Sequence, residues 1–142
     1  MSYQTLIMDF SGTIADDRYR VHKAMNQVLN HFGTVPISFE QWKNVMSLDF
    51  KQMWHDLGVA APLDKIFSQY HIEYATAGSV KPIAGNADAI RNLHSILGTA
   101  AMRVLSGCPQ LMLEEHLREL GLSGYFGAVY GGVSDKSSKL KE

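Results

Sequence analysis

The segment TLIMDFSGTIADD, residues 5–17, places a lone carboxylate, Asp9, at the end of a short apolar run. Gly12 and Thr13 follow it closely. A carboxylate at the end of a strand can act as a nucleophile, and the backbone N–H groups and hydroxyl of the following turn can offset the charge of a phosphoryl group. The pattern therefore indicates aspartyl-phosphate chemistry at Asp9. The alternative is a structural Asp in an Asx-turn.

Two later positions carry side chains that suit the same chemistry. Ser106 and Gly107 follow a second apolar run, and Pro109 suits the first position of the helix pattern that comes next. We expect a hydroxyl group and a helix N-terminus there, and both favour phosphate binding. Lys136 follows a third apolar run, where its charge could neutralise Asp9 and a substrate phosphate. A plain turn at Ser106 and a solvated Lys136 are the alternatives.

The elements that must position these side chains differ between the two halves of the chain. Helical spacing of apolar residues and glycine stops predict four helices in the first half, over residues 17–32, 38–46, 49–57 and 62–77. Ser38 and Gln41 have the spacing of a capping box at the start of the second of these helices. The region after the Asp9 motif is therefore predicted to be all-helical.

Helices and short apolar strands alternate in the second half. The pattern predicts helices over residues 86–97 and 109–120 and strands over 101–105 and 126–130. With a first strand over residues 5–8, buried on both faces, this alternation predicts an α/β fold with a Rossmann-like parallel sheet. The predicted core comprises residues 1–14 and 81–142, with a helical insertion over 15–80. Ligands of such sheets bind beyond the carboxyl ends of the strands, where Asp9, Ser106 and Lys136 are expected.

Composition narrows the class of protein. The chain has 142 residues, 46% of them hydrophobic, and a formal net charge of −1. A domain of this size can bury a core, and the balanced charge favours neither nucleic acid nor a membrane surface as a partner. The single cysteine, Cys108, excludes an internal disulfide framework. We find no secretory signal or membrane span, so we predict a soluble, cytoplasmic protein.

Three motifs in order, DFSGT at residues 9–13, VLSG at 104–107 and DK at 135–136, resemble those of the haloacid dehalogenase-like superfamily. The helical insertion resembles the cap of its phosphoglycolate phosphatase-like and phosphonatase-like branch, which closes over small phosphorylated metabolites. The resemblance implies a phosphohydrolase or phosphotransferase with Asp9 as its nucleophile and Lys136 as its charge-neutralising cation. It implies phosphate binding by Gly12, Thr13, Ser106 and Gly107, and Mg²⁺ binding by the Asp9 carboxylate and the Ser11 carbonyl.

The sequence departs from the family pattern at two places. Ser11 stands where the phosphatases of the family carry a second Asp as general acid and base, and a serine holds no usable negative charge at neutral pH. Hydrolysis of an aspartyl phosphate should therefore be slow. The sequence also ends at Glu142, before the late acidic pair of the family, which implies a core incomplete at its C-terminus and weak Mg²⁺ binding.

These departures keep two other functions open. Phosphonoacetaldehyde hydrolases also lack the second Asp, and they use a cap lysine as a Schiff-base amine for C–P bond cleavage. Lys51 lies in the helical insertion and could take that role, although an ordinary exposed lysine is the alternative. The third possibility is a non-catalytic protein that binds phosphate or a partner, with an uncovered strand edge that would favour a homodimer.

Other titratable residues are interpreted structurally. Asp16 and Asp17 precede a predicted helix, and we interpret them as capping residues in preference to metal ligands. The six histidines are scattered over several helices without a close pair, which argues against a zinc site.

Overall fold

The computed structural model describes residues 5–47, 49–133 and 136–140. The chain divides into two compact units, one formed by Met1–Asp17 with Val80–Glu142 and the other by Arg18–Ser79. We call them the core unit and the helical unit. The sequence placed the boundaries after residues 14 and 80, whereas a short strand pairing in the structure holds residues 15–16 in the core unit.

The secondary structure follows the predicted alternation. The strands are β1 Leu6–Met8, β2 Ala15–Asp16, β3 Lys81–Pro82, β4 Met102–Leu105 and β5 Ala128–Tyr130. The α-helices are α1 Arg18–His31, α2 Phe39–Val45, α3 Phe50–Asp56, α4 Leu63–Thr76, α5 Asn86–Leu97, α6 Gln110–Glu119 and α7 Lys136–Lys139. Two 3₁₀ turns cover Thr99–Ala101 and Ser123–Tyr125. None of the helices in the described ranges has the length and hydropathy of a membrane span.

The sheet of the core unit is parallel, and its strands lie in the order β1-β4-β5. Its core includes Phe10, which directly follows Asp9, and residues of β4 and α6. The fold is therefore α/β with a Rossmann-type parallel sheet, as the alternation of helices and strands predicts. β2 and β3 form a separate antiparallel pair, Ala15 opposite Pro82, that sequence reasoning did not anticipate.

The expectation that the first strand is buried on both faces is wrong. Among the described residues β1 pairs with β4 alone, and the Ile7 side chain is 41% exposed. Ile7 lines an open cavity of about 170 Å³ together with Arg103, Leu105 and Tyr130. One face of the sheet is consequently accessible here, although an apolar run such as residues 5–8 is typical of a strand covered on both sides.

The helical unit has a core of its own. Met25, Val28 and Leu29 of α1 pack with aromatic and aliphatic residues of α2, α3 and α4. The predicted capping box is confirmed: the Gln41 backbone N–H donates to the Ser38 hydroxyl, and the Gln41 side chain accepts from the Ser38 N–H. A buried core of this kind lets the four short helices hold a shape that their individual helix propensities would not maintain.

Two of the predicted boundaries shifted for clear local reasons. Pro109 is the N-cap of α6 and not its first helical residue, because its ψ of 141° is extended. The strand predicted over residues 101–105 begins at Met102, since Thr99–Ala101 forms a 3₁₀ turn. Both shifts leave the end of β4, and with it Ser106, where the sequence placed it.

Candidate active site

The carboxyl ends of the three parallel strands meet at one edge of the sheet. Asp9 follows β1, Ser106 follows β4, and the Gly131–Gly132 pair follows β5. The Val133 N–H donates to the Ser106 carbonyl at 3.0 Å, which joins the last two loops. The structure thus brings together the three places that the sequence analysis singled out.

Asp9 forms an ion pair with Lys136 at this edge. The Lys136 Nζ lies 2.8 Å from the Asp9 Oδ1, and the Phe10 N–H donates to the same oxygen at 2.7 Å. The Asp9 side chain remains 44% exposed and the Lys136 side chain 41% exposed, so a small molecule can reach the carboxylate. The neighbouring Phe10 holds the backbone at Asp9 in place, because its fully buried ring stacks on His116 of α6.

The loop after Asp9 is held by its own backbone. The carbonyl of Phe10 accepts from the N–H groups of Ile14 and Ala15 at 2.9 and 3.1 Å. Gly12 has a φ of +74°, which favours glycine, and its N–H donates to the Ala15 carbonyl at 2.8 Å. The sequence analysis expected exposed N–H groups in this turn, whereas the Gly12 N–H is already engaged within the loop.

A tether from α5 fixes the same loop. The Asn86 side chain donates to the Thr13 carbonyl at 2.5 Å, while Thr13 itself is exposed. Asn86 is the first residue of α5, and sequence reasoning gave it no role. Only its position at a helix start, 73 residues from Thr13 in the chain, could have drawn attention to it.

The Ser11 side chain contacts Asp17, an acidic residue that the sequence analysis interpreted as a helix cap. Its hydroxyl donates to the Oδ2 of Asp17 at 2.6 Å. Asp17 is 5% exposed, so this carboxylate is buried beside the loop that follows Asp9. The interpretation of Asp17 as a helix cap did not anticipate the contact with Ser11.

Ser106 is buried at the end of β4 with 2% of its surface exposed. Its N–H donates to the Tyr130 carbonyl at 2.9 Å, and its hydroxyl oxygen accepts from the Cys108 N–H at 3.1 Å. The hydroxyl proton can still be donated, because a serine oxygen accepts and donates at once. Gly107 is exposed beside it, directly before the turn into α6.

The loop after β5 is packed tightly against the start of α6. The Gln110 side chain donates to the Val129 carbonyl at 3.1 Å and accepts from the Gly131 N–H at 2.6 Å. A Cβ at Gly131 would lie 2.5 Å from the Gln110 Cα, a distance that real structures do not show. Sequence reasoning gave Gln110 no role, and the glycine pair at 131–132 was the available signal for a close approach.

Lys51 belongs to the helical unit. It lies near the start of α3, is exposed, and borders a cavity of about 190 Å³ lined by Trp54, Pro62 and Ile66. Schiff-base chemistry requires a desolvated amine, and the exposure of Lys51 offers no support for it. Asp135, the acidic member of the DK pair, lies outside the described residues.

The residues at the carboxyl edge supply oxygen donors for a metal ion. The described ranges contain no cluster of three His, Cys, Asp or Glu side chains. The exposed Asp9 carboxylate and the Ser11 backbone carbonyl are nevertheless hard oxygen donors, which Mg²⁺ prefers, and Mg²⁺ usually keeps several waters. These two residues therefore fit Mg²⁺ in chemical kind, with water and a bound phosphate as further ligands.

This combination of fold and site defines an α/β protein whose carboxylate lies at the end of the first parallel strand. A family model described as haloacid dehalogenase-like hydrolase matches residues 6–140. Because the match covers almost the whole chain, the protein belongs to the haloacid dehalogenase-like hydrolases. The resemblance found in the three motifs is thereby confirmed. No curated protein matches the chain.

Solved structures show the same fold at low sequence identity. A predicted phosphoglycolate phosphatase from Haemophilus somnus superposes with a TM-score of 0.74 at 12% identity, covering 94% of this chain and 64% of its own. CbbY from Rhodobacter sphaeroides, solved with phosphate, superposes with a TM-score of 0.73 at 16% identity, covering 95% and 66%. A hydrolase from Streptococcus pneumoniae covers 100% and 71%, with a TM-score of 0.59 at 18% identity. The chain thus spans less than two thirds of the length of several structures that it matches.

Proposed function

We propose that this protein is a phosphatase-type hydrolase that transfers a phosphoryl group from a small phosphorylated metabolite to Asp9 and then to water. The observation that carries the proposal is the exposed Asp9 carboxylate at the end of β1, with the Lys136 ammonium 2.8 Å from its Oδ1. A nucleophile and a cation at one strand edge suit attack on an anionic substrate. Membership of a hydrolase family supports the same reaction class.

The first half-reaction begins at the carboxylate. An Asp9 oxygen attacks phosphorus, the bond from phosphorus to the leaving oxygen breaks, and an aspartyl phosphate forms. Lys136 offsets the negative charge that gathers on the phosphoryl oxygens, because it already lies against Asp9. Gly12, Thr13, Ser106 and Gly107 would surround the phosphate, with the N-terminal end of α6 behind Gly107.

Mg²⁺ is the proposed cofactor and would be held by the Asp9 carboxylate and the Ser11 carbonyl. When bound, it would neutralise phosphoryl charge and orient the transferred group. We further propose that the helical unit serves as a cap that selects the substrate and that the protein acts in the cytoplasm. The helical unit is a separate compact body, which suits the first of these roles.

The test is phosphate release from a panel of small phosphoesters and acetyl phosphate, with Mg²⁺ and with EDTA. We expect turnover that requires Mg²⁺ and is lost in Asp9→Asn. Asp88→Asn is the matched control, since Asp88 is an exposed residue of α5 whose carboxylate pairs with Arg91 on the same helix. If folded wild-type protein neither releases phosphate nor becomes phosphorylated at Asp9, the proposal is wrong and a non-catalytic binding role gains support.

A further inference from the structure

A buried carboxylate lies directly behind the serine that replaces the general acid and base. The Oδ2 of Asp17 accepts from the Ser11 hydroxyl at 2.6 Å, a length typical of a charge-assisted O–H···O⁻ bond. Asp17 is 5% exposed, whereas Ser11 is exposed. The serine is thus the solvent-facing member of a pair whose charge lies inside the protein.

The loop path brings these two residues together. Ser11 forms a backbone bridge with Ala15, and the Ala15 N–H and the Gly12 N–H are both bonded within the loop. β2 then pairs with β3, which fixes the chain immediately before Asp17. The contact between Ser11 and Asp17 is therefore held by a closed loop in which backbone hydrogen bonds restrict movement.

A serine hydroxyl can pass a proton in this arrangement. It donates one hydrogen bond, here to Asp17, and its two lone pairs accept from another donor. A water or substrate oxygen near Asp9 would find in Ser11 an acceptor backed by a carboxylate. Proton transfer of this kind is what hydrolysis of an aspartyl phosphate requires, and serine alone supplies it poorly.

We propose that Asp17 exchanges protons with the reacting groups through Ser11, and so replaces the acidic residue missing from position 11. This inference rests on the proposed function, because it assigns the proton transfer of that same reaction. Ser11 is the residue that would touch the water, and Asp17 is a positioning residue that acts through it.

Protons are conserved over the two half-reactions. In dephosphorylation, water attacks phosphorus and the bond from phosphorus to the Asp9 oxygen breaks, which releases phosphate and the Asp9 carboxylate. The water proton moves to the Ser11 oxygen while the Ser11 proton moves to Asp17. In the next phosphorylation, the protonated Asp17 returns its proton to Ser11, and Ser11 gives its own proton to the leaving oxygen of the substrate.

The experiment separates formation of the aspartyl phosphate from its decay. Acetyl phosphate is the donor, because acetate leaves without needing a proton, and intact-protein mass spectrometry follows the added phosphoryl group. We expect wild type, Asp17→Asn and Ser11→Ala all to become phosphorylated at Asp9. The decay after removal of acetyl phosphate should slow by about 100-fold in both variants, the lower end of the range for general base catalysis.

Two further readouts exclude a merely structural role for Asp17. In the double variant Ser11→Ala/Asp17→Asn the aspartyl phosphate should decay no more slowly than in either single variant. The reason is that Ser11 and Asp17 belong to one proton relay, which runs from the water through Ser11 to Asp17. Ser11→Asp/Asp17→Asn should recover at least the wild-type decay rate, because it carries a carboxylate at position 11.

The outcomes distinguish the relay from the proposed function. Phosphorylation of Asp17→Asn followed by decay at the wild-type rate overturns the relay and leaves the Asp9 nucleophile in place. A slow Asp17→Asn decay that Ser11→Asp does not recover also overturns it, since Asp17 would then act by shaping the loop. If wild type shows no phosphorylation at Asp9, the proposed function fails and the relay fails with it.

Discussion

The variant Lys136→Gln tests separately how much the ion pair between Lys136 and Asp9 contributes to turnover and how much it contributes to stability. At 2.8 Å, Coulomb's law in bulk water gives about 1.5 kcal/mol for two unit charges. Both side chains are more than a third exposed, so screening and the loss of side-chain freedom reduce this to roughly 0–1 kcal/mol of stability. We therefore expect Lys136→Gln to change the free energy of unfolding by less than about 1 kcal/mol.

The expected effect on turnover is much larger. Loss of a preorganised donor to the developing charge of a transition state typically costs about 10²–10³ in rate. We expect a decrease of that size in phosphate release from acetyl phosphate, measured beside urea unfolding of the same preparation. Lys139→Gln is the control, because Lys139 belongs to the same short helix, α7, and its Nζ lies 5.2 Å from the centroid of the Tyr130 ring.

Three results would refute this reasoning. If Lys136→Gln retained wild-type turnover, the ion pair would play no part in phosphoryl transfer. If it lowered the free energy of unfolding by several kcal/mol, together with turnover, Lys136 would be a structural residue. Equal losses of turnover in Lys136→Gln and Lys139→Gln would indicate a general effect of charge on α7.

Two other predictions concern the framework of the site and the sheet edge. Gly131→Ala should lower the free energy of unfolding by about 1–3 kcal/mol, because its Cβ would meet the Gln110 backbone. Gly124→Ala is the control, because a Cβ at Gly124 would have nothing within 4 Å. Equal stability of the two variants would contradict the close approach at Gly131. The homodimer expected from the sequence stays a prediction. Sedimentation should show a dimer that Ile7→Lys converts to a monomer, because a charge on an exposed edge strand opposes pairing. A monomeric wild-type protein would contradict this prediction.

Much of the architecture could be predicted because its signals are local. The sequence pattern indicated α1 to α6 within one residue at each end but did not indicate α7, and the Ser38 and Gln41 spacing indicated a capping box that the structure contains. The order of Asp9, Ser106 and Lys136 also indicated one strand edge, because the carboxyl ends of parallel strands meet there.

Other features could not be predicted, since they depend on contacts between distant parts of the chain. The pairing of Ala15 with Pro82 moved the unit boundary, and it joins segments far apart in sequence. The exposure of Ile7 follows from the open cavity on one face of the sheet, and an apolar run does not reveal which face is covered. Burial and strand order are properties of the assembled sheet.

The sequence by itself determined the fold class, the helices and the three motifs at the strand ends, because periodicity and turn residues act over a few positions. Only the tertiary structure decided that Lys136 lies 2.8 Å from Asp9 and that Gly131 leaves no room for a side chain. It alone placed the Asp17 carboxylate against Ser11. Such contacts depend on how loops close and which side chains become buried, and those properties arise when separate elements pack together.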